Sequence, residues 1–231
     1  MKKICMIAHR GYSAAYPMNT ALAFQKAAEH HSGGAETDIR VTRDGVLVCS
    51  HNPEAVLQDG TELQVADSTY AQLTAQPLKN LKTDDEVYLC TFERYLEIMR
   101  EHGMICFIEL KGVFTNAQEK QVMDMIDRVY DVSRCILQSF EFDNLLRIHA
   151  AYPALPLMFT YGTRQHDYER CFAHGISIDV DQYVMTDKMI ADFHRHGLDV
   201  AVWTCNTQES MDRVRAMGVD YIESDVFGGE A

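Results

Sequence analysis

Apolar runs and polar breaks alternate along this chain in a steady rhythm. Strand-like runs end near His9, Thr42, Lys111, Phe140, Gly162, Asp181, Asn206 and Asp225. Between most of them the apolar positions recur with a helical period: Ala21 to His30, Ala117 to Tyr130, Phe142 to Ala151, Asp167 to Ala173, Asp187 to His196 and Glu209 to Met217. Strands alternating with helices over short connections imply parallel strands, and eight such units close an α/β barrel of the TIM type, (β/α)8. In that architecture reactive groups collect at the C-terminal ends of the strands. His9-Arg10, Glu36/Asp38, Glu109/Lys111, Trp203 and Asp225 all fall there.

One stretch departs from the rhythm. Asp44-Gly45 separates Thr37-to-Thr42 from Val46-to-His51, both of β-type composition, and reads as a two-residue hairpin loop. In that register Thr42 pairs with Leu47, Arg40 with Cys49 and Asp38 with His51, which sets an imidazole opposite a carboxylate. Residues 52–90 that follow are polar and carry only the short helical pattern Thr69 to Thr74. They read as an insertion after the second strand, of the kind that shapes substrate access. With no Pro/Gly/Ser-rich linker anywhere, residues 1–231 are expected to form a single barrel domain.

Composition narrows the functional classes. An apolar fraction of 47% is ample for a core, and barrels commonly reach the present 231 residues undivided. A formal charge of −13 repels nucleic acid and anionic membrane surfaces, so an anionic substrate must be met by local cations or a metal ion. The start, Met1-Lys2-Lys3, resembles a secretory signal only in its lysines: the apolar run that follows is about five residues, too short for such a signal. No apolar run elsewhere approaches a membrane span. A cytoplasmic protein without membrane insertion is therefore expected, and nothing in the pattern fixes an oligomeric state. The seven cysteines form no CxxC pair and read as buried free thiols.

The candidate chemistry lies mostly in the first 51 residues. His9 closes the apolar run Ile4 to Ala8 and is followed at once by Arg10 and Gly11. Arg10 offers a planar fork for phosphate oxygens. Gly11 either lets a backbone approach closely or serves as a plain turn residue. Strand alternation puts Glu36 and Asp38 on one face, which points either to solvent at a sheet edge or into the barrel mouth. Glu109 and Lys111 share a face in the same way, after the apolar run Met104 to Ile108. The carboxylates of Glu36, Asp38 and Glu109 suit a hard cation, Mg2+ or Ca2+, and Lys111 suits an oxyanion. Trp203, the only tryptophan, either fills the core or covers the apolar part of a substrate. The other histidines lie on helical patterns or loops and read as surface residues.

These residues match a known family. His9-Arg10-Gly11, Pro17-Met18-Asn19-Thr20 and the unbroken string from Glu36 to His51 resemble the glycerophosphodiester phosphodiesterases. The pattern continues through Ile108 to Lys111, Gln138 to Phe140, Val202 to Asn206 and Gly218 to Asp225, nearly the whole chain. The resemblance implies a TIM-type barrel that uses one divalent metal ion to hydrolyse glycerophosphodiesters to glycerol 3-phosphate and an alcohol. It implies His9 and His51 as the acid/base pair, Glu36, Asp38 and Glu109 as metal ligands, and Arg10 and Lys111 as phosphate contacts. Three positions depart from the family pattern: Met18 stands where a glutamate is usual, Asn52 follows His51 in place of an aspartate, and the usual Arg-Thr-Thr stretch is absent from Ala55 to Gly60. Two rivals remain. A lysophospholipase D- or sphingomyelinase D-like enzyme would need an apolar landing surface, of which residues 52–90 offer little. A weakly active phosphodiester-binding relative would lose turnover through Met18 and Asn52.

Overall fold

The computed structural model describes residues 4–226; Lys2 and Lys3, the lysines of the N-terminal signal reading, lie outside it. The chain runs through β1 (Cys5–Ala8), α1 (Ala21–Glu29), β2 (Gly34–Val41), β3 (Leu47–Cys49), β4 (Glu54–Val56), β5 (Glu62–Gln64), α2 (Tyr70–Leu73) and α3 (Phe92–His102). It continues with β6 (Ile105–Leu110), α4 (Asn116–Val129), β7 (Cys135–Ser139), α5 (Phe142–Ala151), β8 (Leu157–Tyr161), β9 (Ser177–Asp181), α6 (Asp187–Arg195), β10 (Val200–Trp203), α7 (Gln208–Met217) and β11 (Tyr221–Ser224). The parallel order β1-β11-β10-β9-β8-β7-β6-β2 closes on itself through β1–β2, and β3 adds to β2 as an antiparallel edge strand. This is the eight-stranded barrel that the strand rhythm implies. All seven cysteines are free, six of them buried.

The barrel interior grades from apolar to polar along the strands. Ile7, Phe107, Ile136, Met158 and Ala201 pack together as a plug inside it. Two residues further along each of those strands, at the next inward position, stand His9, Glu109, Gln138, Thr160 and Trp203, which line one cavity. The outer core packs Ala35, Ile39, Ile108, Leu137 and Ile178 against the helices. These five strands thus turn polar on their inner face only toward the C-terminal end, whereas β2, β9 and β11 already carry Glu36, Asp179 and Glu223 at the level of the plug.

Three local expectations are corrected. Only Gly45 of the Asp44-Gly45 pair takes the left-handed backbone (φ 82°), whereas the favoured two-residue loop needs it at both positions. Thr42 Oγ1 accepts from the Val46 N–H and donates to Asp44, so the loop has three residues, Arg43 to Gly45. The register therefore shifts by one: Ile39 faces Cys49, Arg40 faces Val48 and Val41 faces Leu47. Ser50 stands across from Asp38, and His51 lies beyond the end of β3. The expected helix Asp167 to Ala173 is a 3-10 segment, Tyr168–His174. Finally, α3 had no counterpart among the expected helices, although Phe92, Tyr95, Leu96 and Met99 follow the helical period, Thr91 caps it and Gly103 ends it at φ 62°.

Residues 52–90 are folded rather than merely polar. β4 and β5 form a small antiparallel pair, and Ala55, Val65, Leu73 and Leu89 pack with Val48 as a satellite core. Among the described residues no helix is long and apolar enough to cross a membrane.

Candidate active site

Glu36, Asp38 and Glu109 converge inside the barrel mouth. Asp38 and Glu109 are partners in the β2–β6 register, and Glu36 is one inward step behind Asp38. All three are buried, which decides between the two orientations left open by alternation: they face inward. One ligand oxygen of each lies within 4.8 Å of the others. Glu36 Oε1, Asp38 Oδ1 and Glu109 Oε1 accept no hydrogen bond. Lys111 Nζ nevertheless pairs with two of these oxygens, 2.8 Å from that of Asp38 and 2.7 Å from that of Glu109, so Glu36 Oε1 alone of the three has no countercharge at that range. Three buried carboxylates with one oxygen of each converging, and a single lysine shared between two of them, fit a hard divalent cation in both charge and donor type.

Burial and mutual repulsion show in the proton affinities. Burial, and then the charge of Asp38, push Glu36 far above the ordinary glutamate value. Burial likewise lifts Glu109 to about 7 against the pull of Lys111. Asp38 goes the other way: burial would raise it, but Lys111 and Arg10 outweigh this and hold it down. Asp179 and Glu223, deeper in the barrel, are also driven up by burial and by neighbouring carboxylates.

Asn19 is the unforeseen member of this site. It sits in the left-handed region (φ 57°), its N–H donates to the Arg10 carbonyl, and its Nδ2 donates to Asp38 Oδ2 over 2.7 Å. Its Oδ1 accepts from Thr37 Oγ1 and from the Asp38 N–H. Asn19 therefore fixes the Asp38 carboxylate from behind. Its place in Pro17-Met18-Asn19-Thr20 was the one available signal, since its role depends on a backbone conformation that composition does not announce. Arg10 is left-handed as well (φ 57°); its N–H donates to Glu36 Oε2 at 3.0 Å, its Nε is 3.2 Å from Asp38 Oδ2, and its Nη1 reaches Met18 Sδ at 3.5 Å.

The two histidines enter the same cavity from different sides. His9 Nδ1 is 2.7 Å from Asp225 Oδ1, and Asp225 is itself held by Ser13 Oγ and Asn206 Nδ2. Burial would raise Asp225, yet its bond with His9 and the His9 charge dominate and pull it well below the usual range. His51 Nδ1 is 2.9 Å from Asn52 Oδ1, so a neutral amide takes the place that Asp225 fills behind His9. Burial lowers the His51 pKa, helped by Arg10 and Lys111 and opposed by Asp38. Arg40 clamps the His51 carbonyl through Nη2 (2.7 Å) and Nε (3.3 Å), which holds the loop beyond β3. The sequence places Asp225 at a strand end without giving it a role, and it shows Arg40 only as a hairpin position and Asn206 only as the end of a motif.

The cavity of about 120 Å³ lined by both histidines, Arg10, Glu36, Glu109 and Lys111 also takes in Trp203. Trp203 donates from Nε1 to the Asp179 carbonyl (3.3 Å) and meets Phe140 edge-on with ring centroids 6.0 Å apart. It serves as cavity wall rather than core filling. Every residue singled out from the sequence as a site candidate is thus brought to one place, with Asp38 directly behind the lining.

A TIM-type barrel whose mouth sets three buried carboxylates, two cations and two histidines around a small cavity defines a class of enzymes acting on phosphate esters with acid/base groups. Residues 9–228 match the Glycerophosphoryl diester phosphodiesterase family. The chain belongs to that family, and with it to the phosphoric diester hydrolases. It is 24% identical over 229 residues to a glycerophosphodiester phosphodiesterase of Bacillus altitudinis, covering 95% of this chain and 94% of that one. An Oleispira antarctica phosphodiesterase, solved in complex with its product sn-glycerol-3-phosphate, superposes with a TM-score of 0.82 at 18% identity, covering 96% and 92% of the two chains. A glycerophosphodiester phosphodiesterase of Thermotoga maritima does so with a TM-score of 0.79 at 23% identity, covering 97% and 96%.

Proposed function

We propose that this protein, as one barrel domain with residues 52–90 inserted, hydrolyses glycerophosphodiesters to glycerol 3-phosphate and an alcohol. In this reading Glu36, Asp38 and Glu109 hold one divalent ion, Mg2+ or Ca2+. The observation that carries it is the convergence of three buried carboxylates, one oxygen of each within 4.8 Å of the others, beside a cavity lined by two histidines. A bound ion would supply Lewis acidity toward a phosphate oxygen and the attacking hydroxyl. The remaining work belongs to side chains. Arg10 and Lys111 present positive charge to the phosphate oxygens, where charge develops during in-line displacement. His9, oriented through Nδ1 by Asp225, keeps Nε2 available for a proton, and His51 does the same with Asn52 behind it. One imidazole removes the proton of the glycerol hydroxyl that attacks phosphorus while the other protonates the departing alkoxide; water then opens the resulting cyclic phosphate to glycerol 3-phosphate with the two roles exchanged, acid/base catalysis worth about 10²–10⁴-fold. Trp203 and Phe140 wall the cavity.

Purified protein incubated with glycerophosphocholine and glycerophosphoglycerol, with Mg2+, with Ca2+ and with EDTA, tests this reading. Release of glycerol 3-phosphate that EDTA abolishes and either ion restores is the expected result. Tight binding of the diesters with no turnover under any condition would instead identify a non-hydrolytic binder.

A further inference from the structure

A second cavity, of about 300 Å³, lies between residues 52–90 and the barrel mouth, and His51 is the one residue that lines both it and the catalytic cavity. His51 thus joins the two spaces, and an alkoxide that it protonated on leaving the phosphate would enter the second. Its chemistry is specific. Val56, Leu78 and Leu89 form an apolar surface, Met18 joins them from the barrel side, and Leu81, 85% exposed, stands on its lining. This corrects the expectation that residues 52–90 offer little apolar surface.

The charged groups on the same lining are Lys79, Lys82 and Glu54, which leaves it one positive charge in a chain of formal charge −13. Lys82 Nζ donates to the Ser13 carbonyl, which ties the segment across to the loop after β1. Lys79 makes no ion pair among the described residues, and Met18 puts a thioether beside Arg10. A quaternary ammonium would find two ammonium groups, one carboxylate and no carboxylate at position 18. Cation and apolar body are thus treated in opposite ways by this wall.

We propose that this cavity is the leaving-alcohol site and that it selects alcohols with an uncharged apolar body against cationic ones such as choline and ethanolamine. The proposal rests on the phosphodiesterase reading above and names the substrate class for it.

A single pair of substrates isolates the effect. Glycerophosphocholine and its carbon isostere, the 3,3-dimethylbutyl ester of glycerol 3-phosphate, share size and shape and differ in one charge. The isostere is expected to show at least about tenfold higher kcat/KM with the same metal-loaded protein. Lys79→Glu, at an exposed position that does not threaten folding, and Met18→Glu should each shift this ratio toward the choline ester by several-fold. Free 3,3-dimethylbutanol should also inhibit more strongly than choline. Hydrolysis of glycerophosphoglycerol without preference for the isostere, or a preference that neither variant moves, overturns the assignment of the cavity and leaves hydrolysis standing. Failure to hydrolyse all three esters strikes the phosphodiesterase reading itself.

Discussion

His9 and His51 differ in what stands behind them, a carboxylate in one case and an amide in the other. Replacing either by alanine is expected to lower kcat at least about 10²-fold while the metal site, built from other side chains, keeps its affinity. Near-normal turnover in either variant would make that histidine structural. The amide behind His51 gives a signed prediction. Burial holds the His51 pKa below its ordinary value, and Asn52→Asp places a negative charge 2.9 Å from Nδ1, so the His51 limb of the kcat/KM profile should move to higher pH. A downward shift or none would show that another group sets that limb. The histidines, Arg10 and the carboxylates were legible in the sequence because alternation and strand ends are local properties. Asn19 and Asn206 were not, because each acts through bonds to residues 19 positions away in sequence, Asp38 and Asp225.

At the scale of elements, the hairpin shows how a sound local rule fails by one residue. Thr42 supplies a side-chain acceptor for the Val46 N–H, and this stabilises a three-residue loop over the two-residue one that Asp44-Gly45 suggests. The slip does not remove His51 from the site, since His51 comes in from the loop that Arg40 clamps. The eight barrel strands are legible because each is a short run of β-type composition between helical patterns or turns, whereas α3 directly follows a long polar segment that masks its period. The β1–α1 connection supplies a stability test. Gly11 has φ 79°, and a Cβ there would lie 2.7–2.8 Å from the Ala23 backbone and Cβ in the first turn of α1. Gly11→Ala should therefore cost about 2 kcal/mol or more, from strain and overpacking together. Urea unfolding that detects a loss below about 0.5 kcal/mol would mean that the loop relaxes freely and that the glycine is a plain turn residue.

For the whole molecule, the barrel interior concentrates more negative charge than Arg10 and Lys111 can neutralise. Glu36, Glu109, Asp179 and Glu223 are raised by burial, so without metal they favour the folded state below their unfolded pKa values and lose that contribution as pH rises through their raised values, which for Glu109 means about 7. For Glu109, shifted from 4.5 to about 7, the loss is on the order of 3 kcal/mol. Asp38 and Asp225 are lowered and act in the opposite sense, stabilising above the ordinary aspartate value and failing only in acid. Chelator-treated protein should thus have a lower Tm at pH 8 than at pH 5, and Mg2+ or Ca2+ should raise Tm more at pH 8. Equal metal effects at both values would place the ion elsewhere. The central claim is that ion binding and proton transfer are carried by separate side chains in one cavity. Calorimetric titration of Mg2+ and Ca2+ into wild type, Glu36→Ala, Glu109→Ala and His51→Ala tests it most directly. One binding event is expected in wild type and in His51→Ala and none in either glutamate variant; undiminished affinity in both glutamate variants would place the ion on other side chains.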